Sequence, residues 1–336
     1  MARFTVAHID AQPERPTDRE RAELAQADAE LVTRLCRTDD EVIDFARDAD
    51  GIVCVGYRVG ERIFAACPNV KVIVRYGIGF DNIDLDAATR HDVVVCNIID
   101  YCIEEVANHA FAMLLALNRK LLRHDRASRA GARIPLPPVG PIRGETLGLV
   151  AFGNIARAVA ERARPFGLNV IAHDPYVDRE VAARYGVRLT SLEEVMAQSD
   201  YVSVHPPLNA ETRGLVGAAQ IALMKPTAYL VTTCRGGVVG EQALFDALAA
   251  GSIAGAGVDV WDPEPVRADH PLLEFETVIA TPHSAYYSDA SVVVQTQRVG
   301  EAAADVLRGY MPRNVVNREV LERVSLAPHP DRAAGV

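Results

Sequence analysis

Residues 144–167 read GETLGLVAFGNIARAVAERARPFG, and this stretch contains the pattern that decides the fold. The apolar run at 147–150 is typical of a buried strand, and the alanine-rich stretch after Asn154 has helical composition. A glycine-containing turn of a few residues, 151–153, joins the two. A strand that enters a helix in this way is the first part of a β-α-β unit, the repeating element of parallel α/β proteins.

The same alternation of strand and helix continues along most of the chain. Strands are predicted at 4–9, 51–55, 72–76, 93–96, 147–150, 170–173, 201–204, 229–232, 256–260 and 278–280. A long helical pattern at about 104–123 contains neither Pro nor Gly, and a Pro/Gly-rich loop follows at 131–144. A second helix is predicted at about 290–308. The pattern indicates two α/β lobes, with the second helix returning the chain to the first lobe.

Composition restricts the partners and the compartment. The chain has 336 residues and a net charge of −10, without a basic stripe, so nucleic acid is not expected as a partner. The apolar run at 110–117 is too short to span a bilayer, and the N-terminus lacks the pattern of a signal peptide. Six scattered cysteines without a Cys-x-x-Cys pair indicate a reducing compartment. We therefore expect a cytoplasmic protein with no membrane partner, and the bias of Arg over Lys suggests a bacterial genome.

The turn at 151–156 is a candidate dinucleotide site. It reads Ala-x-Gly-x-x-Ala, whereas the usual fingerprint is Gly-x-Gly-x-x-Gly/Ala, so Ala151 departs from it. Gly153 would let the backbone approach a pyrophosphate, and the helix N-terminus would supply N–H donors. Asp174, 21 residues further on, would accept from the adenosine ribose hydroxyls and favour NAD over NADP. An ordinary α/β turn followed by a capping Asp is the alternative interpretation.

Three later segments end strand-like runs with residues suited to acid–base or anion chemistry. They are VTTCRGG (231–237), GVDVWDPEP (257–265) and TPHSAYY (281–287), which carry Arg235, Glu264 and His283. An Arg can hold a substrate carboxylate in a two-pronged grip, and the glycines after it would clear space for a ligand. A His can exchange a proton near neutral pH while a Glu fixes its tautomer. The remaining histidines lack metal-ligand spacing, so no metal site is predicted.

Taken together, these segments resemble the D-isomer-specific 2-hydroxyacid dehydrogenases over roughly residues 45–318. The stretches that carry the resemblance, besides those above, are RYGIGFDNIDLDAA (75–88) and HPPLNAETRGLVG (205–217). Within the family, the chain looks closest to the C-terminal-binding-protein-like branch. The resemblance implies a Rossmann-type NAD-binding domain inserted into a flavodoxin-like substrate-binding domain. The implied domains are 1–102 completed by about 292–326, and then 103–291. The stretch 327–336 is Pro-rich and polar, and we expect it to be a disordered tail.

The resemblance also implies residue roles. Arg235 would bind the carboxylate of a 2-oxo acid, His283 would donate the proton, and Glu264 would keep His283 protonated. Asp259 would accept from the nicotinamide carboxamide. Cofactor contacts are expected at Ala151, Phe152, Gly153, Asn154, Ile155, Asp174, His205, Pro206, Pro207, Thr212, Thr233 and Cys234. Substrate contacts are expected at Arg58, Tyr76, Gly77, Ile78 and Tyr286.

The resulting prediction is an NAD-dependent enzyme that reduces a 2-oxo acid to a D-2-hydroxy acid, and the resemblance suggests a homodimer. Two alternatives stay open from the sequence. One is an NAD(H)-gated interaction protein like the corepressor relatives, which can also keep the triad. The other is a formate dehydrogenase, which is disfavoured because that chemistry needs no proton donor and typically has Gln at the position of Glu264. The sequence does not identify the substrate.

Overall fold

The computed structural model describes residues 2–135 and 139–331. The chain forms two compact units, each built around a parallel sheet. Unit 1 comprises Met1–Tyr101 and Ser288–Val336, and unit 2 comprises Cys102–Tyr287. The predicted α/β fold class with two lobes is confirmed. Among the described residues, no helix is both long and apolar enough to cross a bilayer.

Unit 1 contains a five-stranded sheet in the order β2-β1-β3-β4-β5, with every pair parallel. Its strands are β1 (Phe4–His8), β2 (Ala29–Thr33), β3 (Gly51–Cys54), β4 (Val72–Arg75) and β5 (Val94–Asn97). The helices between them are α1 (Asp18–Ala25), α2 (Asp39–Ala46), α3 (Glu61–Ala66) and α4 (Leu85–Arg90). This strand order is that of flavodoxin-like sheets, as predicted.

Local sequence explains two helix starts and two buried strands in unit 1. The side chains of Thr38 and Asp84 begin α2 and α4 by accepting hydrogen bonds from Glu41 N and Ala87 N. The strands β3 and β5 are buried along their whole length, which their unbroken apolar runs predict. The strand β2 is missing from the sequence-based prediction. It lies at the sheet edge, and polar residues interrupt its apolar pattern.

Unit 2 contains a seven-stranded parallel sheet in the order β12-β11-β10-β9-β6-β7-β8. Its strands are β6 (Thr146–Val150), β7 (Asn169–His173), β8 (Arg188–Leu189), β9 (Tyr201–Val204), β10 (Tyr229–Thr232), β11 (Gly255–Val258) and β12 (Val278–Ala280). The helices are α5 (Ile103–Asn118), α6 (Leu121–Arg129), α7 (Asn154–Ala163), α8 (Arg179–Arg184), α9 (Leu192–Gln198), α10 (Ala218–Ile221) and α11 (Glu241–Ala249).

The order of the strands in unit 2 reverses between β6 and β9, as in Rossmann sheets. Buried apolar clusters cover both faces of the sheet. Successive residues of β6 point to opposite faces and therefore belong to different clusters. Leu147 and Leu149 pack into one cluster and Val150 into the other. All ten predicted strands are present within two residues at their ends, and the two-residue β8 is a further strand that the sequence did not reveal.

The predicted single helix at 104–123 is wrong, because it is two helices. Helix α5 ends at Asn118, Lys120 adopts a left-handed conformation with φ 54°, and α6 then begins at Leu121. The Lys120 ammonium contacts the Tyr229 hydroxyl and lies 4.5 Å from the centroid of that ring. This tertiary contact accompanies a break that no Pro or Gly signals. Residues 136–138 of the predicted 131–144 loop lie outside the described residues.

The chain returns to unit 1 through α12 (Asp289–Leu307), within a residue of the predicted helix. The side chain of Ser288 caps it by accepting from Ser291 N. The predicted disordered tail needs a correction at its start. Met311 N donates to Ala327 O at 2.8 Å, and His329 Nε2 lies 3.2 Å from Asp305 Oδ1 with only a tenth of the side chain exposed. Residues 332–336 lie outside the described residues.

Candidate active site

The three predicted acid–base and anion-binding residues follow three neighbouring strands of unit 2. Arg235 lies in the loop after β10, Glu264 after β11 and His283 after β12. These strands pair in parallel, with Thr232 opposite Val258 and Val258 opposite Ala280. The three loops therefore leave the same edge of the sheet, the carboxyl edge where α/β proteins bind ligands.

His283 and Glu264 form a direct pair. His283 Nδ1 lies 2.7 Å from Glu264 Oε2, and both side chains are about one third exposed (29% and 36%), so a ligand can reach them. Because an ionised carboxylate only accepts, Nδ1 is the donor and carries a proton. The second nitrogen, Nε2, is thereby left to face a ligand. The ring of Tyr286, a predicted substrate contact, lies edge-on to the imidazole at 6.3 Å between centroids.

Glu264 stays ionised in this setting. Its burial would raise the pKa of the carboxyl, but the hydrogen bond and charge of His283 oppose this. The backbone N–H of Trp261, 3.0 Å from Oε1, and the charge of Arg235 act in the same direction. The net result is a pKa below the ordinary value of a glutamate, so Glu264 presents a negative charge to His283 throughout the neutral pH range.

Arg235 is partly exposed, and its Nη1 donates to the carbonyl of Cys234 at 2.8 Å. The sequence-based interpretation that the glycines after Arg235 clear space for a ligand is wrong for Gly236. A Cβ on Gly236 would lie 2.1 Å from the carbonyl oxygen of Trp261. Gly236 is therefore required for the β10 loop to pack against the β11 loop, which brings the Arg235 and Glu264 segments together.

A buried carboxylate anchors the loop that carries His283. Asp259 is fully buried, and its Oδ1 accepts from Thr281 Oγ1 at 2.5 Å and from Ser284 N at 2.9 Å. Its Oδ2 accepts from Ala285 N at 3.1 Å, and its main-chain carbonyl accepts from His283 N at 2.7 Å. The role predicted for Asp259 toward the nicotinamide carboxamide stays a prediction. The structure gives it a second role, in holding the loop.

The turn after β6 leaves open space beside Gly153. Gly153 is the N-cap of α7, no side chain caps that end, and an added Cβ would meet no described atom within 4 Å. The backbone here can therefore approach a bound phosphate. Asn154 is exposed beside it, Ile155 is half-buried, and Phe152 turns its ring into the core against Tyr185.

Two residues of this turn need comment. Ala151 adopts φ 70°, the left-handed region that the first glycine of the fingerprint normally occupies, so the substitution keeps the turn at the cost of backbone strain. Asp174 accepts at Oδ2 from Phe152 N at 2.8 Å and thus already contacts the turn. Its side chain is only partly buried, so it can also accept from a ribose hydroxyl.

The loop after β9 lies on the other side of the point where the strand order reverses. It contains the predicted residues His205, Pro206, Pro207 and Thr212. Burial lowers the pKa of His205 to about 4, so its ring is neutral near pH 7, and Nε2 lies 2.8 Å from Ser203 Oγ. The Thr212 hydroxyl donates to the Pro207 carbonyl at 2.5 Å. This bond fixes the loop, and the cofactor contacts expected of these residues stay predictions.

Thr233 carries a buried hydroxyl that a bound ligand could satisfy. Its side chain is 7% exposed, and Oγ1 has no hydrogen-bond partner among the described residues. A buried hydroxyl without a partner is unfavourable unless a ligand satisfies it, and Thr233 directly precedes Cys234 in the β10 loop. Together with the open N-terminus of α7, this orphan hydroxyl fits a bound dinucleotide. Burial raises the pKa of the Cys234 thiol, so that thiol stays protonated.

Unit 1 holds the remaining predicted substrate contacts. Arg58 is exposed, Ile78 is half-buried and Gly77 has φ 115°, a conformation suited to glycine. The Tyr76 side chain is 2% exposed, its hydroxyl contacts Glu20, and its backbone N–H donates to Cys54 O at 2.8 Å, so these groups are already used within unit 1. The substrate roles of these four residues stay predictions.

Sequence reasoning missed two residues near the His283–Glu264 pair. Thr281 lies within TPHSAYY, and its hydroxyl contacts the Asp259 carboxylate. His109, on α5, has no metal-ligand spacing, and its Nε2 lies 3.0 Å from Thr281 Oγ1. A polar residue within the apolar stretch of α5 was the available signal.

A cavity of about 540 Å³ in unit 2 lies away from this site. Its lining includes Glu145, Asp200, Tyr229 and Thr277, which begin or directly precede strands of the sheet. It therefore opens at the amino edge of the sheet, and we do not include it in the candidate active site.

Comparisons with known proteins identify the family of this chain. Residues 111–285 match the family described as D-isomer specific 2-hydroxyacid dehydrogenase, NAD binding domain. A glyoxylate reductase of Korarchaeum cryptofilum is 37% identical over 287 residues, which cover 84% of this chain and 86% of the relative. The chain spans about half the length of several phosphoglycerate dehydrogenases that it also matches.

Two solved structures share the fold of this chain over more than nine tenths of its length. An acyclic imino acid reductase, in complex with NADPH and D-Arg, is 28% identical with a TM-score of 0.84 and covers 93% of this chain and all of its own. A D-lactate dehydrogenase of Aquifex aeolicus, complexed with NAD and lactic acid, is 27% identical with a TM-score of 0.80. It covers 97% of this chain and all of its own. On these similarities, the chain belongs to the D-isomer-specific 2-hydroxyacid dehydrogenases, a family that binds NAD.

Proposed function

We propose that this protein reduces a 2-oxo acid to the D-2-hydroxy acid with NADH, and catalyses the reverse reaction. The observation that carries the proposal is the His283–Glu264 pair, with Nδ1 and Oε2 2.7 Å apart, in loops next to the one that holds Arg235. This arrangement combines a proton donor, a fixed negative charge and a cation. Those are the groups that a carbonyl reduction on an anionic substrate requires.

Arg235 would bind the carboxylate of the substrate and orient its carbonyl. The guanidinium presents parallel N–H donors that match the two carboxylate oxygens, which fixes the angle as well as the distance. Because the net charge of the chain is −10, a local cation is needed to attract an anion to this site. The partial exposure of Arg235 supports this role.

His283 would donate a proton from Nε2 to the carbonyl oxygen during reduction and recover it during oxidation. The ionised Glu264 favours the charged imidazolium and fixes Nδ1 as the donor toward itself, so that Nε2 faces the substrate. The hydrogen bond also restricts rotation of the ring. Glu264 therefore acts on both the protonation and the orientation of the donor.

The bound nicotinamide cofactor supplies the hydride. The open N-terminus of α7 at Gly153 would bind its pyrophosphate, and the orphan Thr233 hydroxyl would hydrogen-bond a polar atom of the cofactor. Asp174 would accept from the adenosine ribose hydroxyls. A carboxylate at this position repels the additional phosphate of NADPH, which supports a preference for NADH.

The test is the oxidation of NADH, followed by its absorbance, with a panel of 2-oxo acids that share the carboxylate–carbonyl head and differ in their tails. We expect turnover with NADH, weaker turnover with NADPH, and a product of D configuration when it is resolved on a chiral column. NADH binding without turnover of any 2-oxo acid would contradict the proposal and would favour an NAD(H)-gated binding protein.

A further inference from the structure

We propose that His109, acting through the hydroxyl of Thr281, positions the loop that carries His283. The inference rests on the proposed function, in which His283 is the proton donor. It concerns two side chains that face each other within unit 2. His109 comes from α5, which packs against β10 and β11, and Thr281 opens the loop after β12.

The hydrogen bonds define one direction of donation. Both Asp259 oxygens accept from backbone N–H groups, Oδ1 from Ser284 and Oδ2 from Ala285, as an ionised carboxylate does. Thr281 Oγ1, 2.5 Å from Oδ1, then donates its only proton to that carboxylate. What remains on Oγ1 is acceptor capacity, so His109 Nε2, at 3.0 Å, is the donor to it.

This chain ties the catalytic loop to a rigid element. Thr281 lies two residues before His283, and Trp261 Nε1 also donates to the Thr281 carbonyl at 2.9 Å. His109 lies inside α5, a 16-residue helix that packs against β10 and β11, so its backbone is held in place. His109 Nε2 lies 3.7 Å from Asp259 Oδ1, and thus the three groups form one compact cluster.

The expected role is in positioning, because His109 is linked to His283 through Thr281 and the loop. Its side chain is 25% exposed and contacts Thr281 and Asp259. Loss of the Thr281 hydroxyl would leave Asp259 Oδ1 with one donor fewer and would release one attachment of the loop. When a proton donor is held less firmly, kcat falls much more than the affinity for the 2-oxo acid or for NADH.

The experiment compares two pairs of variants. Thr281→Val removes the hydroxyl at nearly constant shape, and Thr281→Ser restores it. His109→Leu removes the donor, and His109→Gln restores an N–H near the position of Nε2. We expect Thr281→Val and His109→Leu to lower kcat by about 10- to 100-fold. KM for the 2-oxo acid and Kd for NADH should change little, and Thr281→Ser and His109→Gln should recover most of kcat.

A second readout does not depend on turnover. Hydrogen–deuterium exchange of the amides of His283, Ser284 and Ala285, all of which donate to Asp259, reports directly on the loop. We expect faster exchange in Thr281→Val and His109→Leu than in the wild type, with the restoring variants close to the wild type. Unchanged exchange in both removing variants would overturn the inference.

The two readouts separate this inference from the proposed function. If the wild type reduces no 2-oxo acid, the proposed function fails, while the exchange experiment still tests the position of the loop. If the wild type is active and Thr281→Val keeps full kcat, the inference fails and the proposed function stands. A drop in thermal stability with unchanged kcat per folded molecule would also overturn it.

Discussion

The two halves of the unit 2 sheet present their candidate functional groups in opposite ways. After β6, the groups that would contact the cofactor are backbone N–H donors and open space around Gly153. After β10, β11 and β12, the candidate groups are side chains in a network of hydrogen bonds in which Asp259 holds the His283 loop. The comparison teaches that cofactor binding should depend on local backbone geometry, and turnover on a hydrogen-bonded network.

The largest effect should follow from His283→Asn. Asparagine tolerates the φ of 53° at this position better than most residues, and its amide cannot donate a proton to the product. We expect kcat for 2-oxo acid reduction to fall about 100- to 10,000-fold, with Kd for NADH unchanged. His91→Asn is the matched control, because His91 in unit 1 also pairs with a glutamate, at 2.7 Å from Glu61. Equal losses in the two variants would contradict the comparison.

Arg235→Lys should have the next largest effect. A lysine keeps the charge but cannot reproduce the two-pronged contact with a carboxylate. We expect kcat/KM for the 2-oxo acid to fall about 10- to 100-fold, mainly through KM, because charge-assisted hydrogen bonds contribute ~1.5–3 kcal/mol. Arg267→Lys, at an exposed bidentate contact to Asp269, is the control and should leave steady-state kinetics unchanged. A KM for Arg235→Lys within experimental error of the wild type would remove Arg235 from carboxylate binding.

Glu264→Gln tests the charge in the network through the pH profile. The pKa of Glu264 lies below its ordinary value, so the paired carboxylate is present at neutral pH and is lost only as the pH falls through that lowered value. Glutamine keeps a hydrogen-bond acceptor without the charge that favours the imidazolium. We expect the alkaline limb of kcat/KM for reduction to move to lower pH. An unmoved limb would show that the charge of Glu264 does not control proton donation.

Gly153→Ala should affect the other half of the sheet. The new methyl group meets no described atom, so the folded unit should accept it, but it would occupy the space that a pyrophosphate needs. We expect Kd for NADH, measured by fluorescence titration, to rise about tenfold, the equivalent of ~1.4 kcal/mol. Gly60→Ala is the control, because Gly60 is also an uncapped helix N-cap with open space around its Cα. Unchanged NADH binding in Gly153→Ala would place the pyrophosphate elsewhere.

Ala151→Gly should have the smallest effect. A left-handed alanine costs about 1–2 kcal/mol, and the greater freedom of glycine in the unfolded chain offsets part of the gain. We expect the free energy of unfolding to rise by about 0.5–1 kcal/mol, seen in denaturant titration. Asp28→Gly, at φ 52° in unit 1, is the control for release of the same kind of strain. A destabilised Ala151→Gly would show that the alanine methyl packs more favourably than its backbone suggests.

The candidate active site was largely predictable because its residues follow strands with unmistakable apolar runs. The position of Arg235, Glu264 and His283 in the loops after β10, β11 and β12 followed from that pattern, since parallel neighbours end at one edge. The departure at Ala151 was also visible, and the structure shows its cost in a left-handed backbone. These features depend on short segments of sequence.

What the sequence could not predict depends on contacts between distant segments. The break between α5 and α6 accompanies the contact of Lys120 with Tyr229, more than a hundred residues away. The role of Gly236 depends on the backbone of Trp261, and that of His109 on Thr281. The edge strand β2 lacks a strong apolar signal because one side of it has no neighbouring strand.

The most direct test of the division between the two halves is to measure NADH binding and 2-oxo acid turnover side by side in His283→Asn and Gly153→Ala. We expect opposite effects on binding and turnover in the two variants. His283→Asn should bind NADH like the wild type and lose turnover, whereas Gly153→Ala should bind NADH more weakly and keep kcat at saturating NADH. Loss of both properties in both variants would contradict the division.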